Sequence, residues 1–200
     1  MKDVIEHYDR LIEENNDPVF DPPPLQAYMD KWDGEALITR MRLHTSKSVL
    51  EIGVGTGRLA KRVAPYCRCL LGIDVSPKTV RKAKKNLSAH PNVTLVCDDF
   101  LAYSFATQFD VIYSSLTFLH IKEKALALQK VDVLLADGGI FVLSIDKSQG
   151  EWLDMGTRKI KIYPDTPKNV CDLLSKTHLE VTDLLETEHA YIITAEKKRV

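Results

Sequence analysis

Residues 49–60 read Val49-Leu50-Glu51-Ile52-Gly53-Val54-Gly55-Thr56-Gly57-Arg58-Leu59-Ala60, and this stretch decides the fold. An apolar β-type run ends in an acid, glycines follow at alternate positions, and a helix-compatible segment begins. That pattern predicts a strand, a tight turn and a helix start, the place where an α/β sheet holds a nucleotide-like cofactor. Side chains at the glycine positions would keep the backbone away from a ligand. Glu51 puts a negative charge at the strand's carboxyl end, where a cationic group of a cofactor can sit.

Outward from this turn, strands and helices alternate. Strands are predicted at 48–52, 69–74, 92–97, 109–114, 138–145, 180–187 and 190–196, with helices at 57–66, 77–88, 122–136 and 166–176. Ser76-Pro77 and Thr166-Pro167 each place a capping hydroxyl before a proline at the first helical position. Asp137-Gly138-Gly139 reads as the turn into the fifth strand. Such alternation predicts a parallel sheet covered on both faces, and the closely spaced last two strands should pair antiparallel. Before residue 46 the texture is helical. Val4, Ile5, Tyr8, Leu11 and Ile12 fall at helical spacing, Asp21-Pro22-Pro23-Pro24 reads as an extended loop, and a second helical stretch runs from about 25 to 43, interrupted near Gly34.

Composition is that of an ordinary globular domain, with 44% apolar and 28% charged residues and a formal net charge of -1 over 200 residues. No global pull toward nucleic acid or membrane follows from this balance, and no apolar run approaches a membrane span. The N-terminus lacks a signal peptide's apolar stretch, and the expected location is cytoplasmic. Cys67, Cys69, Cys97 and Cys171 lack the paired spacing of a zinc site and are read as reduced, mostly buried thiols, so no metal is expected. The expectation is a lid or cap segment over 1–45 and one cofactor-binding domain over 46–200.

Spacing separates possible cofactors. A dinucleotide fingerprint would place its third glycine at position 58, which is Arg58; here the third glycine is Gly57. A pyrophosphate also disfavours an acid beside the turn, whereas a cationic ligand suits Glu51. The next strand ends Leu71-Gly72-Ile73-Asp74, and a carboxylate there can accept both hydroxyls of a ribose. The third strand ends Cys97-Asp98-Asp99-Phe100, offering an acceptor for an adenine amino group and an aromatic face.

These segments resemble the class I S-adenosylmethionine-dependent methyltransferases. VLEIGVGTG is similar to that family's first motif, LLGIDVSP to its second, and CDDF to its adenine-binding stretch. FDVIYSSLTFLHI and LLADGGIFVLSI resemble the fourth and fifth strands. The resemblance spans about 48–197. It implies a single-domain, Rossmann-like α/β three-layer sandwich whose mostly parallel sheet has the order 3-2-1-4-5-7-6, the last strand antiparallel. It also implies S-adenosylmethionine as cofactor, with Gly53, Gly55 and Gly57 around its methionine part. Glu51 would face the ammonium, Asp74 the ribose, Asp98 or Asp99 the adenine beside Phe100, and Ser114 would line the cleft. His120 is the candidate base in the loop after the fourth strand, and Asp146 a weaker one. Tyr8, Tyr28 and Trp32 are candidate lid or substrate contacts. The stretch Arg158–Pro164 reads as a short edge strand with exposed bases, a solvated face being favoured over contact with an anionic substrate.

The fourth strand ends in Tyr113-Ser114-Ser115-Leu116 and not in the Asn/Asp-Pro-Pro-aromatic box of base and glutamine methylators. No Pro-Cys pair or nucleic-acid module is present. The expected acceptor is therefore a small molecule, with a protein side chain second, and the expected state is monomer or homodimer. Three other readings share the fold: an aminopropyl transferase, a regulatory protein that binds the cofactor without turnover, and a nicotinamide dehydrogenase, which Arg58 disfavours.

Overall fold

The computed structural model describes residues 2–156 and 158–199. Its elements are α1 (Lys2–Glu13), α2 (Pro23–Met29), α3 (Gly34–Arg40), β1 (Ser48–Ile52), α4 (Arg58–Val63), β2 (Cys69–Asp74), α5 (Pro77–Asn86), β3 (Val93–Cys97) and β4 (Phe109–Ser115). There follow α6 (Lys124–Leu134), β5 (Leu135–Asp146), β6 (Trp152–Asp154), β7 (Lys159–Lys161), α7 (Pro167–Leu174), β8 (Leu179–Glu186) and β9 (Ala190–Lys197).

The main sheet has the order β3-β2-β1-β4-β5-β9-β8. Counting its own strands alone, that is the expected 3-2-1-4-5-7-6; the excursion β6–β7 forms a separate two-stranded ribbon. β1, β2, β3, β4 and β5 pair in parallel, and β9 runs antiparallel to both β5 and β8. Strand alternation builds two cores. Leu50, Ile52, Ile112, Phe141 and Leu143 face α6 and α7, while Val49, Leu70, Val111, Tyr113 and Val142 face α3, α4 and α5. Every residue of β1 is buried, as a central parallel strand requires. No helix among the described residues is long and apolar enough to cross a membrane.

Both predicted caps form: Thr79 N–H donates to Ser76 Oγ at 3.1 Å and Asn169 N–H to Thr166 Oγ1 at 3.2 Å. Three expectations are corrected. Pro23 and Pro24 do not extend a loop but open α2, because a proline's missing N–H is harmless in a helix's first turn. Asp137-Gly138-Gly139 lies inside β5, where a register shift opposite Phe109–Val111 and Gly138 at φ +72° absorb the irregularity. Of the cysteines, which are all free, only Cys67 is buried, and Cys97 at the end of edge strand β3 is exposed.

Candidate cofactor site

Parallel strands place their carboxyl ends on one edge of the sheet, and there a cavity of about 270 Å³ opens. Glu51, Asp74, Asp98 and Asp99 all line it, although they come from three different strand ends. Its floor is the turn after β1. Gly53, Gly55 and Gly57 have φ of +78°, +56° and +96°, in the region that glycine alone enters without cost. A Cβ added at Gly53 would lie 1.9 Å from Thr117 Oγ1, so this glycine lets the loop after β4 close down on the turn. A Cβ at Gly55 would meet no protein atom within 4 Å. Gly55 faces the cavity, and its bare backbone is suited to contact with an occupant.

The acids differ in setting. Glu51 is buried and its Oε2 accepts a 2.7 Å hydrogen bond from Tyr113 Oη. Burial pushes its pKa up to about 8, only partly countered by the Tyr113 hydroxyl and by Arg58. No ion pair to Glu51 forms among the described residues. Asp74 accepts from Gly55 N–H and Ser76 N–H, each at 3.0 Å, one per oxygen. Burial raises its pKa against those backbone donors. These two bonds use about half of the roughly four acceptor sites of a carboxylate, and the Val75 amide also favours its charged form. Asp99 Oδ1 accepts from Leu101 N–H at 2.7 Å and so caps the next turn, whereas Asp98 Oδ1 receives only the adjacent Asp99 N–H. Phe100 is buried at the cavity wall.

Helix α1 is the roof. Val4, Tyr8, Leu11 and Ile12, one face at helical spacing, line the cavity. Its other faces are tied down. Asp9 Oδ1 accepts from Ser76 Oγ at 2.7 Å and Lys78 N–H at 3.0 Å. Arg158 grips Glu14 with both terminal nitrogens, at 2.7 and 2.8 Å, and its Nε–H donates to His7 Nδ1 at 3.0 Å. Arg158 therefore does not present a solvated basic face; it straps the roof to the β6–β7 ribbon. Tyr8 Oη and His120 Nε2 share a 2.7 Å hydrogen bond inside the cavity. Burial lowers the His120 pKa to about 4 and raises that of Tyr8, so both are uncharged near neutral pH.

Four expected contacts lie elsewhere. Gly57 is outside the cavity lining, and a Cβ there would lie 2.8 Å from Leu87 Cδ1. Ser114 does not line the cleft, because strand alternation turns it inward to donate to Ile52 O at 2.9 Å; its neighbours Ser115, Leu116 and Thr117 line the cavity. Tyr28 and Trp32 are also outside it. They stack edge-on, centroids 5.3 Å apart, beside His189, and Trp32 Nε1–H donates to Asp146 Oδ2 at 2.7 Å. Sequence reasoning missed the network around Asp33. This buried carboxylate takes Arg58, Ser115 Oγ and Gly34 N–H, and Arg58 and Arg62 also reach Asp30. Arg58 thus fastens the α2–α3 segment to the start of α4. The spacing of Asp30 and Asp33 was the only hint.

Residues 49–139 match a methyltransferase domain family. An uncharacterized methyltransferase of Anoxybacillus flavithermus is 33% identical over 123 residues, covering 60% of this chain and 57% of that protein. The chain thus spans little more than half of that relative. Among solved structures, the [4+2]-cyclase SpnF superposes with a TM-score of 0.77 at 18% identity, covering 98% of this chain and 96% of that one. The N-methyltransferase NodS from Bradyrhizobium japonicum in complex with S-adenosylhomocysteine superposes with a TM-score of 0.68 at 18% identity, covering 96% and 97%. Residues 49–139 thus resemble a methyltransferase domain, and the fold is the one these solved structures share.

Proposed function

We propose that this protein binds S-adenosylmethionine in the large cavity and directs its methyl group to a small-molecule acceptor. The observation that carries the reading is the convergence of Glu51, Asp74 and the Asp98–Asp99 pair on one hollow, above a glycine that leaves room for an occupant. Glu51 would hold the ligand's ammonium, Asp74 the ribose hydroxyls, and Asp98 the adenine amino group. Asp98 is preferred over Asp99, whose carboxylate is already used in a turn. When bound, S-adenosylmethionine supplies an electrophilic methyl on a sulfonium leaving group.

The chain's own part is placement and exclusion of water. Within the expected lid segment 1–45, α1 acts as the lid, shut over the cavity by Arg158, Asp9 and Tyr8, while α3 packs into the core. His120 anchors that lid through Tyr8. It can accept a proton at Nε2 only once Tyr8 withdraws, so we assign it first as a positioning residue and second as a base. A fold shared with a protein named a cyclase does not itself dictate chemistry, and turnover must be measured.

Thermal shift with S-adenosylmethionine, S-adenosylhomocysteine, decarboxylated S-adenosylmethionine and NAD tests the reading. Stabilisation by the first two is expected. Preference for the decarboxylated compound points to aminopropyl transfer, and preference for NAD rejects the reading. An acceptor screen that follows S-adenosylhomocysteine release then distinguishes an enzyme from a sensor. His120→Ala should lower turnover more than binding; equal turnover removes it as a base.

A further inference from the structure

A second cavity, of about 100 Å³, lies where β4 and β5 end, under the β6–β7 ribbon. Leu116 lines both cavities, so the two hollows adjoin across one side chain. Much of the wall is apolar, from Leu119, Trp152, Leu153, Ile162 and Pro164. Two carboxylates reach it, and they are not equivalent. Asp165 is matched by Lys124, whose Nζ donates to its Oδ2 at 2.6 Å. Asp146 has only neutral donors: Trp32 Nε1–H at 2.7 Å on one oxygen and Ser148 N–H at 2.5 Å on the other. No ion pair to Asp146 forms among the described residues. The adjacent Lys147 turns instead to Glu186 Oε1 and the carbonyls of Thr187 and Glu188.

A half-buried carboxylate without a cation retains a desolvation cost that a ligand's charge can offset. A carboxylate offers about four acceptor sites, and two are used here. The volume admits about seven to ten non-hydrogen atoms, taking about 10–15 Å³ per water-sized group. We propose that this hollow seats the acceptor and selects an amine, with an apolar body against Leu119, Leu153, Ile162 and Trp152 and the cationic nitrogen on Asp146. Neutral and acidic isosteres forgo the charge on Asp146 or meet repulsion from it. The term acceptor rests on the methyl-transfer reading above; amine selection at Asp146 does not.

Calorimetric titration of the full chain with benzylamine, benzyl alcohol and benzoate tests this, with and without saturating S-adenosylhomocysteine. Benzylamine should bind at least tenfold more tightly than benzyl alcohol, and benzoate more weakly than either. Asp146→Asn keeps an oxygen for the Trp32 indole. It should abolish the amine's advantage and leave S-adenosylhomocysteine affinity within twofold. Trp152→Ala, at a side chain already exposed, should weaken amine and alcohol alike. Equal binding of amine and alcohol, an amine preference that survives Asp146→Asn, or no binding of any of the three overturns the inference. If S-adenosylhomocysteine fails to bind, the methyl-transfer reading falls, and the titrations without it still decide amine selection.

Discussion

The two cavities at the sheet's carboxyl edge are built in different ways. The larger is made of short motifs, each a strand end with its following turn: Glu51–Thr56, Asp74–Val75 and Asp98–Phe100. The smaller is assembled from side chains of β5, the loop after β4 and the β6–β7 ribbon, and no local pattern announces it. The acids of the first accept from neutral donors of the chain, Tyr113, Gly55, Ser76 and Leu101 among them. The second is partly satisfied by its own chain, through Lys124 on Asp165 and Trp32 on Asp146. A ligand with an invariant shape suits a motif-coded site, whereas a variable partner suits an assembled one.

The sharpest way to break that contrast begins inside the larger cavity, with two glycines of like φ and unlike surroundings. Gly53→Ala should be the most damaging change. It combines about 1–3 kcal/mol for a non-glycine residue in this backbone region with about 1–3 kcal/mol of overpacking against Thr117. Urea denaturation should show the loss, and a variant as stable as the parent would remove the packing argument. Gly55→Ala should cost only about 1–2 kcal/mol of stability, the left-handed penalty alone. It should nevertheless weaken S-adenosylhomocysteine binding at least tenfold, because its methyl group points into the hollow. If its stability falls as far as that of Gly53→Ala while binding persists, Gly55 does not face the ligand.

Glu51 gives the next effect. Its pKa, raised to about 8 from an ordinary 4.5, means that the folded protein holds a proton which the unfolded chain releases. The stability this contributes is full below about pH 4.5 and is lost as pH rises through about 8. A bound ammonium would expel the proton. Calorimetry at pH 7 in buffers of different ionisation enthalpy should therefore show proton release on S-adenosylhomocysteine binding, and Glu51→Gln should show none. Proton uptake would contradict the placement of Glu51.

The roof responds to acid in the opposite sense. Burial lowers the pKa of His7, aided by Arg158, and burial takes that of His120 to about 4. Their contribution is full above about pH 6.5, the ordinary histidine value, and is lost as pH falls toward the lowered values. Hydrogen exchange in α1 should accelerate relative to β1 as pH falls from 6.5 to 4, after correction for the intrinsic rate. Equal protection across that range would detach the histidines from roof closure. Arg158→Ala should produce a smaller effect, a several-fold faster release of S-adenosylhomocysteine in stopped flow. An unchanged rate would mean that the strap does not hold the roof.

Much of the fold was legible because hydrophobic runs and caps are local. β1 and β2 begin and end where their apolar patterns do, and Ser76 and Thr166 cap their helices as read. The glycine and acid positions at the first three strand ends were legible for the same reason. What failed depended on tertiary context. Ser114 and Ser115 are both plausible from composition, and only the phase of β4 within the sheet decides which meets the cavity. Tyr28 and Trp32 have the chemistry of cofactor contacts, yet α2 and the turn after it set them against His189 and Asp146. Arg158 read as solvated because its partner Glu14 lies 144 residues away.

The most direct test concerns Asp74, which lines the hollow and accepts one backbone N–H on each carboxylate oxygen. Titration calorimetry of S-adenosylhomocysteine into the parent and Asp74→Ala, with thermal melts to verify that both are folded, isolates its part. We predict that the folded variant binds at least tenfold more weakly; equal affinity in the two proteins would contradict the assignment of this cavity as the cofactor site.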